Sequence, residues 1–164
     1  MSTLPPVTRS RLEMQGFVGL DDRTLAELAP WLRFTPAVCT ALVGLGTFTP
    51  WPWLLWALAP IAALGAIFPV HPFDLIYNRG VRRWTGTRPL PPNGPPRRFA
   101  CGVAAVWLAG TALAFSAGYE VTGFLLGGVL TVVGLLVSTN DFCIPSLVYG
   151  ALFGRPRAGG AKRA

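Results

Sequence analysis

The sequence predicts an all-α membrane protein with four transmembrane helices in two hairpins and short interfacial amphipathic helices on the cytoplasmic side. Two long stretches that are almost free of charge support this prediction. No Asp, Glu, Lys or Arg lies between Arg33 and Asp74, and only Glu120 interrupts the stretch between Arg98 and Asp141. Each stretch is about forty residues long, enough for two crossings at roughly 20 residues each. Only 13% of the chain is charged, against about 25% in a typical soluble domain.

The distribution of basic residues predicts the orientation of the spans. All 14 Lys and Arg residues fall in the N-terminal segment, the central loop or the C-terminal tail, and none falls in the turns near residues 50 and 118. The positive-inside rule places the three basic segments in the cytoplasm. We therefore expect a multi-pass inner-membrane protein with both termini cytoplasmic. Because topology accounts for the net charge of +7, we expect no binding of nucleic acid.

Residues 1–32 are predicted to form a cytoplasmic N-terminal tail that ends in an amphipathic helix. The first 20 residues contain prolines and glycines that are typical of a loose tail. Asp21 and Asp22 then favour a helix start, and Leu25 and Leu28 share one face of the helix. We expect this helix to lie on the membrane surface.

Residues 33–154 are predicted to form the four-helix transmembrane domain. Thr35 and Pro36 suit the start of its first helix. The final apolar segment, residues 142–153, is too short to cross the bilayer. Residues 155–164 are predicted to be a basic, disordered tail. The four spans are expected at about 35–49, 52–68, 98–117 and 121–139.

The loop over residues 69–97 combines arginines with aromatic residues, a pattern typical of an interfacial helix. Its arginines are expected to contact anionic headgroups, so the lipid bilayer is a predicted partner. Tryptophans are expected at both membrane interfaces. The residues predicted at the interfaces are Arg79, Arg82, Arg83, Trp84, Trp51 and Trp53.

Small residues on the third and fourth predicted spans indicate close helix packing. Gly123 and Gly127 form a Gly-x-x-x-Gly pattern, and Ala105 and Ala109 share the same spacing. Either they pack these two helices against each other, which we favour, or they contact another copy of the chain.

The three cysteines and the single histidine are predicted to meet at the cytoplasmic boundary. Cys39, His71, Cys101 and Cys143 each lie near the inner end of a different span. Thiolates and imidazole bind zinc or copper, so one hypothesis is a metal or haem site formed by these four residues. No cofactor is otherwise predicted.

A second hypothesis is a reactive thiol at Cys143, which begins a short predicted helix where a thiol pKa is lowered. Ser146 makes the pattern Cys-x-x-Ser, so Cys101 or Cys39 would have to resolve any adduct. A third interpretation, which we favour, is that all three cysteines pack as small apolar residues.

Two acidic residues, Asp74 and Asp141, are expected in the same layer as the cysteines. A carboxylate at a helix C-terminus opposes the macrodipole. We therefore expect Asp141 to cap the next segment or to pair with a loop arginine, and Asp74 to cap the interfacial helix.

Two sequence stretches and the order of the hairpins carry a family resemblance. Arg97-Arg98-Phe99-Ala100 opens the third span, and Asp141-Phe142-Cys143-Ile144-Pro145-Ser146 closes the fourth. With the Arg- and Pro-rich loop between the hairpins, residues 33–154 resemble a bacterial membrane family, domain of unknown function family 4395. Members often end in a Phe-Cys-x-x-Cys-like motif, in which Ser146 here replaces the second cysteine. The resemblance implies a fold and no particular reaction.

For function, the sequence favours a non-enzymatic membrane subunit or scaffold that packs against a larger membrane complex or forms a homo-oligomer. The basic cytoplasmic side and the small-residue helices motivate this hypothesis. The alternatives are a thiol- or sulfur-handling protein that uses Cys143, and the metal or haem site described above.

Overall fold

The structure is a computed structural model that describes residues 4–155. Over these residues the chain is all-helical, as predicted, and contains no strand. Apart from Arg155, the predicted tail lies outside the described residues. The helices are α1 (Pro6–Met14), α2 (Asp22–Leu32), α3 (Phe34–Phe48), α4 (Pro52–Ile67), α5 (Pro72–Ile76), a π-helical turn (Tyr77–Val81), α6 (Arg82–Thr85), α7 (Pro95–Ser116), α8 (Glu120–Asn140) and α9 (Ile144–Phe153).

The N-terminal region packs onto the rest of the protein, so the prediction of a loose tail was wrong. Helix α1 begins at Pro6, a residue type that suits the first turn. Leu12 on α1 is 1% exposed, and Phe17 just after α1 is 3% exposed. The sequence pattern missed this helix because a short polar helix is stabilised mainly by tertiary contacts.

Helix α2 also buries its apolar face within the protein rather than on a membrane surface. Its start was predicted correctly, since the Asp21 side chain accepts a hydrogen bond from the Thr24 N–H at 3.1 Å. Leu25 and Leu28 are almost fully buried and pack in one cluster with Tyr77 of the π-helical turn. The amphipathic pattern predicted a helix but did not identify what covers it.

Helices α2 and α3 form one nearly continuous helical segment, interrupted only at Arg33. Pro36 has no N–H, so the carbonyl of Leu32 lacks its usual partner four residues on. The combined segment, Asp22–Phe48, is 27 residues long. The first span therefore merges with the helix that was predicted to lie on the membrane surface.

Helices α3, α4, α7 and α8 pack around a common apolar core. Helix α4 packs chiefly along α7, and α3 chiefly along α8, so each helix of one consecutive pair contacts a helix of the other. The fully buried members of this core are Val43, Leu55, Leu58, Ala59, Ala62, Leu108 and Ala112.

Glycines on α8 bring it close to α3. A Cβ at Gly127 would overlap the side chain of Thr47, and a Cβ at Gly134 would overlap that of Thr40. The absence of a side chain at these two positions therefore lets the backbone of α8 approach α3.

The other predicted packing residues also contact the chain itself. Gly123 faces the ring of Phe115 near the end of α7, where any side chain would overlap it. Ala105 and Ala109, on α7, pack against the apolar core of the bundle. The small residues thus serve contacts of α8 with both α3 and α7.

Three helices of the described chain are long and apolar enough to cross a membrane: Asp22–Phe48, Pro95–Ser116 and Glu120–Asn140. Helix α4 qualifies only together with Pro72–Thr85, which is bent by 83° from it. Length and composition therefore give three spans, or four if the bent pair counts as one. These helices are compatible with a membrane protein.

Helix α9 folds back against the beginning of α7. The rings of Tyr149 and Phe99 have centroids 5.6 Å apart, and Tyr149 also stacks with Phe153 at 4.9 Å. At 10 residues, α9 is about 15 Å long and too short to span a bilayer, as expected.

Candidate functional site

Buried and partly buried polar side chains collect where α3 and α7 begin and where α4 and α8 end. We call this layer the polar collar. It separates the apolar core of the bundle from the cluster formed by α1, α2 and Tyr77. Its members are Gln15, Arg33, Thr35, His71, Asp74, Asn93, Arg97, Arg98 and Asp141.

Asp74 is the centre of one half of the collar and is 3% exposed. Its carboxylate accepts hydrogen bonds from the Thr35 hydroxyl at 2.6 Å and from the Asn93 amide at 2.8 Å. The backbone N–H of His71 donates a third at 3.3 Å. Three donors from three separate segments therefore satisfy one buried carboxylate. Asp74 thus joins α3, the start of α5 and the segment around Asn93 that precedes α7.

His71 is the N-cap of α5 and forms a capping box with Asp74, which confirms the predicted capping role of that carboxylate. The imidazole Nδ1 accepts a hydrogen bond from the Phe73 N–H at 3.2 Å. The ring lies against Gly65 on α4, where a Cβ would overlap it. Burial lowers the pKa of His71 and outweighs the opposing effect of Asp74; nearby Arg97 lowers it further.

Arg97 and Arg98 cap carbonyls at two helix ends. Arg97 is 8% exposed and donates to the Leu32 carbonyl at 3.0 Å, which supplies the partner that Pro36 cannot. Arg98 donates to the carbonyls of Ala66 and Ile67 at the end of α4, at 2.9 and 2.6 Å. A positive charge at a helix C-terminus also suits the helix dipole.

The other half of the collar surrounds the end of α8. Asp141 is 2% exposed, adopts a left-handed conformation with φ of 57°, and accepts two hydrogen bonds from Arg33 at 2.9 and 2.5 Å. Arg11 and Gln15 donate to the carbonyls of Asn140 and Asp141, each at 2.8 Å. Asp141 therefore pairs with an arginine, as one of the two alternatives predicted, and α1 caps α8.

Cys143 lies next to this half of the collar. It is the N-cap residue of α9, is 8% exposed, and its Sγ accepts a hydrogen bond from the Ser146 hydroxyl at 3.1 Å. Cys39 lies on α3 and Cys101 on α7, both partly buried, and all three are free thiols. Of the three cysteines, only Cys143 lies at the edge of the collar.

The predicted metal ligands do not assemble in the described part of the chain. Between residues 4 and 155, no group of three or more His, Cys, Asp or Glu side chains is arranged to hold a metal ion. His71 uses Nδ1 as a helix cap, and Cys143 is paired with Ser146. The four-residue site from Cys39, His71, Cys101 and Cys143 therefore stays a prediction without an assembled ligand set.

Most of the predicted interface residues lie on the surface. Trp51, Trp53 and Trp84 are 53, 76 and 94% exposed. Arg79 and Arg83 are exposed, and Arg82 is partly buried. Tyr77, in contrast, is fully buried, because the π-helical turn directs it toward Trp31 and Thr87.

A family model described as Domain of unknown function (DUF4395) matches residues 29–153. The chain belongs to this family. The match confirms the resemblance and runs from within α2 to the last residue of α9. No curated protein and no solved structure matches the chain.

Most of the collar of this DUF4395 protein was missed by sequence reasoning. Thr35 was predicted to cap α3, but its hydroxyl donates to Asp74 and α3 begins one residue earlier without a side-chain cap. Asn93 was interpreted only as part of a turn, and Gln15 was placed in a loose tail, so neither was predicted as a partner of the collar. One signal was available for Arg97: Pro36 leaves the carbonyl of Leu32 without its usual helical donor, and a buried carbonyl requires one.

Proposed function

We propose that this protein is a non-enzymatic membrane subunit or scaffold that crosses the inner membrane four times, in two hairpins, with both termini in the cytoplasm. The polar collar would lie at the cytoplasmic boundary. In this arrangement its role is to fix the helix ends, and the outer surfaces bind lipid and a larger partner.

The observation that carries this proposal is that the collar's buried polar groups bond to one another or to backbone carbonyls at helix ends. Between residues 4 and 155, the only buried side-chain nitrogen or oxygen without a hydrogen-bond partner is the Thr47 hydroxyl. Thr47 lies within the bundle, away from the collar. The buried hydrogen-bonding groups of the collar thus hold segments of the chain together, which is a structural role.

The outer faces supply the surfaces for lipid and partner. On α8, Val121, Leu125 and Val129 are 74, 66 and 49% exposed, and α4 exposes Trp53. Such large apolar faces are typical of contact with a bilayer or a membrane partner. At 16 residues, α4 is about 24 Å long, so it approaches the thickness of the hydrocarbon core and supports a fourth span.

The segment from Arg79 to Trp84 supports a cytoplasmic docking surface. Arg79 and Arg83 are exposed, and Trp84 is 94% exposed beside them. Arg and Trp are the residue types most often found at the centre of protein interfaces. Arginine and tryptophan also bind lipid headgroups. A protein partner is therefore distinguished from lipid by a specific complex that survives extraction from the membrane.

Two measurements test this proposal. A reporter fused after Gly118 should lie across the membrane from one fused to the N-terminus, because the turn before α8 carries no basic residue. Extraction in mild detergent should then yield a complex with a second protein, weakened by Arg83→Glu together with Trp84→Ala. Arg23→Glu is the control, since Arg23 is also an exposed arginine but lies on α2. Reporters on the same side, or a lone monomer from every extraction, would contradict the proposal.

A second candidate function is a thiol site at Cys143. The hydrogen bond from the Ser146 hydroxyl to the sulfur favours it, because this bond holds Sγ in one orientation at the start of α9. Alkylation should then modify Cys143 faster in the native protein than Cys39 or Cys101, and Ser146→Ala should slow it. Equal rates at the three cysteines would exclude this function, and a slower rate at Cys143 would identify it as a packing residue.

A further inference from the structure

A groove runs along the outer surface of α7 and begins at Arg98. It has a volume of about 680 Å³ and is lined by Ala66 of α4 and by α7 residues from Pro95 to Trp107. Apart from Arg98 at one end, the lining is mainly apolar. The groove therefore combines one positive charge with a long apolar channel.

Gly102 leaves the floor of the groove open. A Cβ at this position would lie 3.6 Å from Ala66, which is ordinary contact, so alanine would fit and a larger side chain would fill the channel. Trp107 forms one end of the groove, and its indole N–H donates to the Leu126 carbonyl at 2.9 Å, which fixes the ring. Phe99 is held against Tyr149 of α9. The walls are therefore fixed before any ligand binds, which lowers the entropy lost on binding.

The guanidinium of Arg98 is oriented by the two carbonyls at the end of α4. These bonds use Nε and Nη2, and Nη1 takes part in neither. Arg98 is partly exposed at the mouth of the groove. An oriented guanidinium binds carboxylate and phosphate oxygens strongly, and phosphate is the anionic group of a phospholipid.

The length of the groove matches one leaflet of a bilayer. Arg98 and Trp107 are nine residues apart in sequence, which corresponds to a rise of about 13.5 Å along α7. One leaflet contributes about half of the ~30 Å hydrocarbon core. A chain that follows the groove from Arg98 therefore reaches almost to the middle of the membrane.

We propose that the groove binds one anionic phospholipid of the cytoplasmic leaflet, with its phosphate on Arg98 and one acyl chain over Gly102 toward Trp107. This inference rests on the proposed membrane embedding. It assigns a specific lipid site to α7, distinct from the general contact of Arg79, Arg82 and Arg83 with headgroups.

The test uses the full chain in a zwitterionic detergent, titrated with phosphatidylglycerol or phosphatidylcholine. Bound lipid is counted by native mass spectrometry, and the thermal midpoint is followed in parallel. Phosphatidylglycerol should bind at one site and raise the midpoint, and phosphatidylcholine should bind about tenfold more weakly because its positive headgroup competes for the phosphate charge. Arg98→Gln should weaken the binding of phosphatidylglycerol about tenfold. Arg23→Gln, at an exposed arginine on α2 outside the groove, should leave phosphatidylglycerol binding unchanged.

Gly102 provides an independent check that does not alter charge. Gly102→Leu should abolish the single site for phosphatidylglycerol, while Gly102→Ala should retain it. Each variant's midpoint is compared with its own lipid-free value, so a loss of stability is not mistaken for a loss of binding. Equal binding of both lipids, a loss in Arg23→Gln equal to that in Arg98→Gln, or wild-type binding in Gly102→Leu would overturn the site. Because no partner is present, these outcomes leave the reporter and co-purification tests unaffected.

Discussion

The polar collar and the interior of the bundle hold the same helices together by different means. In the collar, charged and polar side chains such as Asp74 and Arg97 bond to groups from distant segments. In the interior, α8 approaches α3 because Gly127 leaves room for Thr47. The collar therefore depends on paired hydrogen bonds, and the interior depends on shape. Substitutions should affect the two regions by different amounts and for different reasons.

The largest effect is expected in the collar, from Asp74→Ala. It removes the acceptor for Thr35, Asn93 and the His71 N–H, and buried donors without a partner are costly. The free energy of unfolding in detergent micelles should fall by about 3 kcal/mol or more. Asp22→Asn is the control, since Asp22 is an exposed carboxylate paired with Arg9, and it should cost less than about 1 kcal/mol. Similar losses in the two variants would show that the collar does not stabilise the fold.

Within the bundle, adjacent glycines offer a matched pair. Gly127→Ala places a methyl group against Thr47, whereas the Cβ of Gly128→Ala meets open space. Overpacking should lower the free energy of unfolding by about 1–3 kcal/mol at residue 127. In Gly128→Ala the free energy of unfolding should be unchanged or slightly higher, because alanine favours the helix. Chemical denaturation of both variants in the same detergent measures the difference, and the opposite order would refute close packing of α3 on α8.

The collar should also make stability depend on pH. In the unfolded chain His71 takes up a proton near pH 6.5, but burial lowers its pKa in the folded protein. Below about pH 6.5 the unfolded state therefore binds more protons, and the free energy of unfolding should fall by at most about 1.4 kcal/mol per pH unit. Above that pH His71 is neutral in both the folded and the unfolded state, so it no longer makes the free energy of unfolding depend on pH.

Thermal midpoints between pH 7.5 and 5.5 measure this effect. His71 is the single histidine of the chain, so its replacement isolates the contribution. His71→Asn should flatten the profile while keeping a side-chain acceptor at the N-cap. A profile that keeps its full slope in this variant would assign the pH dependence to other groups.

The smallest effect is expected from Thr47→Val in the bundle. The Thr47 hydroxyl is fully buried without a partner, so a methyl group of similar size removes an unsatisfied polar atom. Stability should be unchanged or higher by up to about 1 kcal/mol. Thr111→Val is the comparison, because that buried hydroxyl donates to the Trp107 carbonyl at 2.9 Å and its loss should cost stability. A large loss from Thr47→Val would indicate a partner for its hydroxyl within the membrane.

The two regions also differ in how far the sequence predicted them. The long helices α7 and α8 were predicted to within three residues at each end, because an apolar stretch of sufficient length has few alternatives to a helix. Capping by Asp74 and the pairing of Asp141 with an arginine were also anticipated. The collar's remaining partners were not, because Thr35 and Asp74 are 39 residues apart and Arg33 and Asp141 are 108 apart.

The N-terminal helices show the same limit. The pattern of Leu25 and Leu28 identified the amphipathic helix but gave no indication of whether lipid or protein covers it. The periodicity predicts which face of the helix is apolar, but either a bilayer or a protein core can bury that face. Only the position of Tyr77 and the short helix α1 decided that this face is internal.

The sequence by itself determined the helical class, the apolar segments and the separation of basic residues from them, since these depend on composition and local order along the chain. The tertiary structure decided which carbonyls Arg97 and Arg98 cap, which carboxylate joins three segments, and which glycines contact α3. Those pairings join residues far apart in sequence, and a hydrogen bond or a close contact exists only when folding brings both partners within a few ångströms.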